Sequence, residues 1–258
     1  MTPPLPAAFT RLPLAHRALH DRASGRSENG PGAVAAAVAA GYGIEIDLQA
    51  SADGAAMVFH DDTLDRLTAA AGPVRARTTT ELSRLRLSGS DEAIPRLEDV
   101  LAIVAGRVPL LVELKDQSGR MAGSDGVLEA AVARALRGHA GEVAVMSFNP
   151  DSVAALAEAL PDVPRGLVTC GWTLRDAPHL PARTRARLRA IPDVARVGAA
   201  FVSHYWRDLA RPRIGGLKAA GTIILCWTVR SPDEEAQARA VADGITFEGY
   251  RPALPEPG

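Results

Sequence analysis

The sequence predicts an α/β fold, a TIM-type (β/α)8 barrel built as one domain over residues 1–258. Three observations point there. The chain has 258 residues, ordinary for one barrel and long for a single sandwich or bundle. Short apolar or β-branched runs alternate with longer Ala/Leu/Arg stretches of helical period, the pattern of a parallel sheet with crossover helices. The strand-like runs number eight, enough to close a barrel. An open doubly wound sheet is the structural rival.

In chain order the predicted strands are residues 12–16 (LPLAH), 43–48 (GIEIDL), 109–115 (PLLVELK), 142–147 (EVAVMS), 163–169 (VPRGLVT), 199–204 (AAFVSH), 222–229 (TIILCWTV) and 244–248 (GITFE). Between them the spacing predicts helices over 32–40, 97–104, 127–136, 150–160, 182–190, 212–220 and 232–242. Several open on proline and several close on glycine, the asymmetry expected at helix ends. Residues 53–95 are too long for a plain strand-to-helix connection, so they read as a functional insertion that contains one more strand-like piece, AAMVFHD. The terminal YRPALPEPG reads as a disordered or docking tail.

Composition narrows the function classes. Hydrophobic residues make up 47% of the chain, which supports a substantial core. Acids and bases nearly cancel at a formal charge of −1 with no polybasic run, so no nucleic-acid partner is expected. The start, MTPPLPAAFTRLPLAHR, lacks a leader pattern, and no apolar run reaches the roughly 18 residues of a spanning helix. A cytoplasmic protein with no stable membrane insertion is therefore expected. Cys170 and Cys226 lie outside any metal-like spacing and read as reduced structural thiols.

The chemistry concentrates in a few strands. Alternation along 43–48 turns Ile44, Ile46 and Leu48 one way and Glu45 and Asp47 the other, with the two acids roughly 6.6 Å apart on one face. If that face is the barrel interior, each carboxylate loses hydration worth several kcal/mol unless a cation is present. The competing reading puts both acids at a solvated strand end, bonded to backbone or arginines. Strand 109–115 weighs against it, because Glu113 and Lys115 again share one face of an aliphatic run. Glu45, Asp47 and Glu113 form an all-oxygen set suited to one divalent cation, Mg2+ or Ca2+, rather than to zinc.

His16 ends the first strand and His60 ends MVF, so two proton carriers stand where barrels gather their active sites. Arg17 and Lys115 add positive charge suited to an anion. A phosphate fits such a face: cation and guanidinium take its oxygens while two imidazoles move protons at the ester oxygens. The reaction so described is metal-assisted phosphodiester cleavage. His20, His139, His179 and His204 have no partner motif and read as surface or hydrogen-bonding residues, with His204 the strongest exception because it ends FVSH. Ser147 and Phe148 end a strand and are candidates for the pocket wall, and Asp61 and Asp62 for partners of His60 or of the strand-end backbone.

AHRALHD…SENG (15–30), GYGIEIDLQASADGAAMVFHDDTLDRLT (41–68), VELK (112–115), MSFNP (146–150) and LCWTVRSPDEEAQARAVADGITFEGYRP together resemble the glycerophosphodiester phosphodiesterase family over nearly the whole chain. The resemblance implies a barrel that hydrolyses a small-molecule glycerophosphodiester to sn-glycerol 3-phosphate and an alcohol. It further implies Glu45, Asp47 and Glu113 as metal ligands, His16 and His60 as the acid/base pair, and Arg17 and Lys115 as phosphate-binding groups. By the same resemblance Trp227 is the aromatic wall of the pocket, Glu28 and Asn29 order the first active-site loop, and residues 53–95 cap the site. The chain departs from the family pattern at Ala18, Ser27, Arg230 and Glu248, which bears on substrate shape more than on catalysis. Two rival functions are a phospholipase-D-like or phosphoinositide-type enzyme acting on lipid headgroups, which would carry an exposed apolar lip, and a noncatalytic phosphometabolite-binding barrel.

Overall fold

The computed structural model describes residues 3–256. Nine strands are present among them: β1 Leu14–Ala15, β2 Gly43–Ala50, β3 Ala56–Val58, β4 Leu110–Leu114, β5 Val143–Ser147, β6 Arg165–Thr169, β7 Phe201–Tyr205, β8 Ile223–Val229 and β9 Gly244–Phe247. Pairing runs β1-β9-β8-β7-β6-β5-β4-β2 and β1 also pairs with β2, so eight parallel strands close on themselves. The open-sheet rival is thereby excluded. β3 lies outside the ring and pairs antiparallel with β2, Leu48 opposite Val58.

The helices are α1 Ala8–Arg11, α2 Pro31–Ala40, α3 Thr79–Leu82, α4 Leu97–Val104, α5 Val127–Leu136, α6 Pro150–Ala159, α7 Ala182–Arg189, α8 Pro212–Ala219 and α9 Pro232–Arg239. Four open on proline, whose missing N–H is no loss in a first turn. None of the helices is long and apolar enough to cross a membrane among the described residues.

Strand alternation sorts the core into two shells. Ile44, Ile46 and Leu48 pack outward with Val34 of α2 and Val100 of α4 in one cluster. The inward set, Leu14, Leu111, Ala144, Val168, Phe201 and Leu225, fills the barrel and meets Leu5 and Phe9 beneath it. A methyl at Gly166 would sit 2.3 Å from the Phe201 ring, so only glycine on β6 lets that ring lie across the interior.

The sequence reading is corrected at two places. α1 was not expected; Phe9 is fully buried and its carbonyl would lie 2.7 Å from a methyl at Gly244, so the N-terminal turn plugs the bottom of the barrel. The first strand is shorter than 12–16, because Pro13 has no N–H for a ladder. Of the two readings of the C-terminal segment, disordered or docking, the second holds: Pro252 is buried, its carbonyl accepts from Tyr42 Oη at 2.7 Å, and Tyr250 Oη donates to Glu235 at 3.0 Å. Pro257 and Gly258 of that tail, and Met1 and Thr2 of the start, lie outside the described residues.

Candidate active site

At the C-terminal mouth of the barrel, β2 and β4 pair in register with Asp47 opposite Glu113. Like charges directly across a ladder repel, so the arrangement needs cations nearby. Glu45, Asp47 and Glu113 are all buried, and one oxygen from each lies within 4.8 Å of the others, the one such group among the described residues. Lys115 Nζ contacts Asp47 Oδ1 at 2.6 Å and Glu113 Oε1 at 2.5 Å. Arg17 Nε stands 3.7 Å from Asp47, but the same guanidinium donates to Glu28 Oε1 at 2.7 Å.

The charges do not balance locally. Burial would raise the Asp47 carboxyl, yet Lys115, His60 and Arg17 hold it well below the usual carboxylate range. Glu45 has only the backbone N–H of Arg17, at 3.0 Å, and no cationic side chain in contact. Burial first, and then the charges of Asp47 and Glu113, push its carboxyl well above the ordinary value. Burial likewise raises Glu113, opposed by Lys115. Lys115 would be lowered by burial, but Asp47 and Glu113 hold its ammonium charged. Three converging hard oxygen donors, one of them without a counter-charge, fit a divalent cation of the Mg2+ or Ca2+ kind.

The loop after β1 is built around these acids. Arg17, Ala18 and Asn29 all take positive φ, at 53°, 64° and 59°, a strained backbone for side-chain-bearing residues. That backbone aims the Arg17 N–H at Glu45, and Asn29 N donates back to Arg17 O at 2.9 Å. Asn29 Nδ2 donates to Asp47 Oδ2 at 2.9 Å. Glu28 and Asn29 therefore hold Arg17 and Asp47 in place.

Each of the two histidines is tied through Nδ1 to its own carboxylate. His16 Nδ1 lies 2.9 Å from Glu248 Oε2, which also accepts from Arg230 Nη2 at 3.0 Å. His60 Nδ1 lies 2.7 Å from Asp61 Oδ1. A carboxylate accepts only, so each neutral ring carries its proton on Nδ1 and leaves Nε2 for chemistry. Burial lowers His16 despite the Glu248 bond, and burial with the nearby Lys115 charge takes His60 to about 4. Glu248 is held down to about 2 by the His16 hydrogen bond first. Arg66 links Asp61 to Glu28, 2.6 and 2.8 Å away, so the segment carrying His60 is fastened to the loop carrying Arg17.

A cavity of about 170 Å³ connects these groups. His16, Arg17, Glu45, His60, Glu113 and Lys115 form its charged half, whereas Phe148, Tyr205 and Trp227 form an aromatic half. Trp227 is fixed by its indole N–H on Ser203 O at 3.2 Å. The eight residues singled out from sequence thus converge, seven on the cavity and Asp47 beneath it within the carboxylate group.

Other readings are sorted by strand parity. Phe148 lines the cavity, but Ser147 is turned away and donates to Leu114 O at 2.7 Å. His204 does not belong to the site: it is fully buried between Thr169 Oγ1 at 2.7 Å and Asp208 Oδ2 at 3.3 Å, on the outward side of β7. Sequence reasoning passed over Glu248 as a site residue, together with Arg230 and Tyr205. Glu248 was noticed only as a departure from the family pattern, and its contact with His16 forms only when β9 closes on β1.

The model of the glycerophosphoryl diester phosphodiesterase family matches residues 16–248. The chain belongs to this family. Its relatives include the Bacillus subtilis (strain 168) protein YhdW, 30% identical over 214 residues that cover 80% of this chain and 82% of that one. The glycerophosphodiester phosphodiesterase of Caldanaerobacter subterraneus subsp. tengcongensis is 28% identical over 215 residues, covering 79% and 80%. Among solved structures, an Oleispira antarctica phosphodiesterase in complex with the product sn-glycerol-3-phosphate superposes with a TM-score of 0.73 at 22% identity, covering 93% and 94% of the two chains. At that identity the likeness establishes the barrel fold of the family in this chain.

Proposed function

We propose that this protein hydrolyses glycerophosphodiesters to sn-glycerol 3-phosphate and an alcohol, with Glu45, Asp47 and Glu113 holding one Mg2+ or Ca2+. One observation carries the reading: three buried carboxylates meet within 4.8 Å beside two imidazoles that each have Nδ1 on a carboxylate and Nε2 free. Family membership and relatives named for this activity support it.

Bound there, the cation would act as a Lewis acid, drawing off charge from the phosphoryl oxygens. Arg17 and Lys115 give fixed positive charge for those same oxygens, and Glu28 keeps Arg17 oriented. One imidazole takes a proton at Nε2 from the attacking hydroxyl, and the other, entering the step as the imidazolium, delivers its Nε2 proton to the departing alkoxide as the P–O bond breaks. Burial disfavours the charged form of both rings, so Glu248 and Asp61 matter by stabilising the imidazolium, present from the start on the donating ring and formed during the step on the other. Trp227 closes the cavity opposite the acids. Residues 53–95 act as a cap on a single barrel domain, bringing His60 and Arg66 over the mouth. The two buried free thiols, Cys170 and Cys226, support a reducing, cytoplasmic setting.

The test is release of sn-glycerol 3-phosphate from glycerophosphoethanolamine and glycerophosphocholine, before and after EDTA. Activity lost with EDTA and restored by Mg2+ or Ca2+ is expected. Turnover that EDTA leaves intact would remove the cation, and no release from either diester would remove the function.

A further inference from the structure

A second cavity of about 570 Å³ adjoins the first, and the two share Phe148, Tyr205 and Trp227 as a common wall. The segment after β6 completes it, contributing Cys170, Trp172 and Ala177, all buried. The rings brace one another: Phe148 stands edge-on to both Trp172 and Trp227, with centroids 5.7 and 5.6 Å apart, and Tyr205 lies 5.5 Å from Trp227. The charged residues of this chamber, Arg175, Asp176 and His179, are exposed at its rim. Asp176 is already occupied, accepting the Thr173 N–H at 2.7 Å. Leu174 on the same segment is 64% exposed.

The location of the chamber relative to the charged half gives it a use. A phosphodiester has two arms, and its phosphoryl group is drawn toward Arg17, Lys115 and the cation that Glu45, Asp47 and Glu113 would hold, all at the ends of β1, β2 and β4. One arm must then run the opposite way, over the Phe148–Tyr205–Trp227 wall that the two cavities share. A small, strongly hydrated arm such as ethanolamine gains little from walls that are mostly aromatic carbon with the Met121 thioether and the Cys170 thiol, and they offer it no buried counter-charge. An apolar arm gains the full benefit of leaving water.

We infer that this chamber is a substrate subsite for an apolar arm of the diester, so that the protein favours diesters bearing an alkyl, acyl or aryl group over those bearing only small polar headgroups. The inference rests on the proposed phosphodiesterase function. The apolar arm has two possible sources, the alcohol that is released and a chain carried by the glycerol.

Initial rates are to be compared on three monomeric diesters: glycerophosphoethanolamine, sn-glycero-3-phosphooctanol and 1-octanoyl-sn-glycero-3-phosphoethanolamine. At least one octyl substrate is expected to exceed glycerophosphoethanolamine in kcat/KM by more than about tenfold, since each fully buried methylene is worth about fourfold. Which octyl substrate is preferred identifies the arm. Ala177→Leu, which fills the chamber, and Trp172→Ala, which removes a wall, should each lower that ratio at least about tenfold. Melting curves check that both variants are folded, and because the readout is a ratio within one protein it survives partial loss of folded enzyme. A wild-type ratio near one for both octyl substrates, or a ratio unmoved by either substitution, overturns the inference while leaving the phosphodiesterase function standing. No turnover of any diester removes that function instead.

Discussion

Replacing Glu248 by Gln keeps the shape of the His16 partner and removes its charge. With Oε2 2.9 Å from His16 Nδ1, the charge of Glu248 acts on an imidazolium over a short path. At an effective dielectric near 20, two unit charges about 4 Å apart interact by about 4 kcal/mol. Arg230 Nη2, 3.0 Å from the same oxygen, offsets part of that, and the Glu248 side chain is 26% exposed, so solvent screens more. About half, roughly 2 kcal/mol, is a fair expectation for the loss, or about 30-fold in rate. The loss should fall on kcat, because the imidazolium that Glu248 stabilises acts in the proton-transfer step. KM should move less than about threefold, and the pH limb that reports His16 should shift to lower pH, since removing the carboxylate lowers the ring further below 6.5. The direction of that shift is the same whether His16 gives or takes the proton. The measurement is a full pH-rate profile on glycerophosphoethanolamine for Glu248→Gln against wild type. A kcat within twofold and an unmoved profile would refute the positioning role.

Glu45→Gln should abolish metal-dependent turnover yet raise the melting temperature of the EDTA-treated protein, because it replaces a buried carboxylate that lacks a cationic side chain; a gain of about 1–3 kcal/mol is expected, read by calorimetry. Burial lowers His204 from 6.5 to about 4, so the unfolded chain binds the extra proton in that window, and stability should fall as pH drops from 6.5 toward 4 by up to about 3 kcal/mol. Melting temperature against pH for wild type and His204→Gln checks this, and the variant should show the shallower slope. Gly166→Ala places a methyl 2.3 Å from the Phe201 ring and should cost about 1–3 kcal/mol, lowering the melting temperature by several degrees with kcat little changed.

How far the sequence could be read depended on whether a residue's meaning was local. Strand alternation is local, and it put Glu45 and Asp47 on one face and Ile44 and Ile46 on the other; the packing of Ile44 and Ile46 against the helices then makes the acid face the inward one. The spacing of the β-branched runs likewise anticipated the closed ring, because each crossover unit is completed within a few tens of residues. What escaped depended on contacts between the ends of the chain. Glu248 reaches His16 across 232 positions, and no local pattern marks that pair. The plug of Leu5 and Phe9 has meaning only once a ring exists to be closed from below, and the docked Pro252 only once Tyr42 is in place beside it. His204 is a different case: Phe201 and Ser203 point inward on the same strand, so parity alone assigns His204 to the outside, and the signal was present in the sequence.

The same division explains why the site is assembled as it is. A carboxylate that must bind a cation reversibly has to remain short of a full set of protein partners, and Glu45, with a single backbone N–H, is left in that condition. Its neighbours are not: Asp47 has Lys115 and Asn29, and Glu113 has Lys115. Asp47 is therefore stabilised by the fold itself, Glu113 is compensated only in part, and Glu45 makes the fold depend on what it binds. The local cost is offset by the outer shell, where fully buried Ile44, Ile46 and Leu48 sit on the same strand as the strained acids. β2 thus anchors the barrel through Ile44, Ile46 and Leu48 and destabilises it at Glu45, so substitutions at these neighbouring positions should act in opposite directions on stability without metal, Ile46→Ala lowering it and Glu45→Gln raising it.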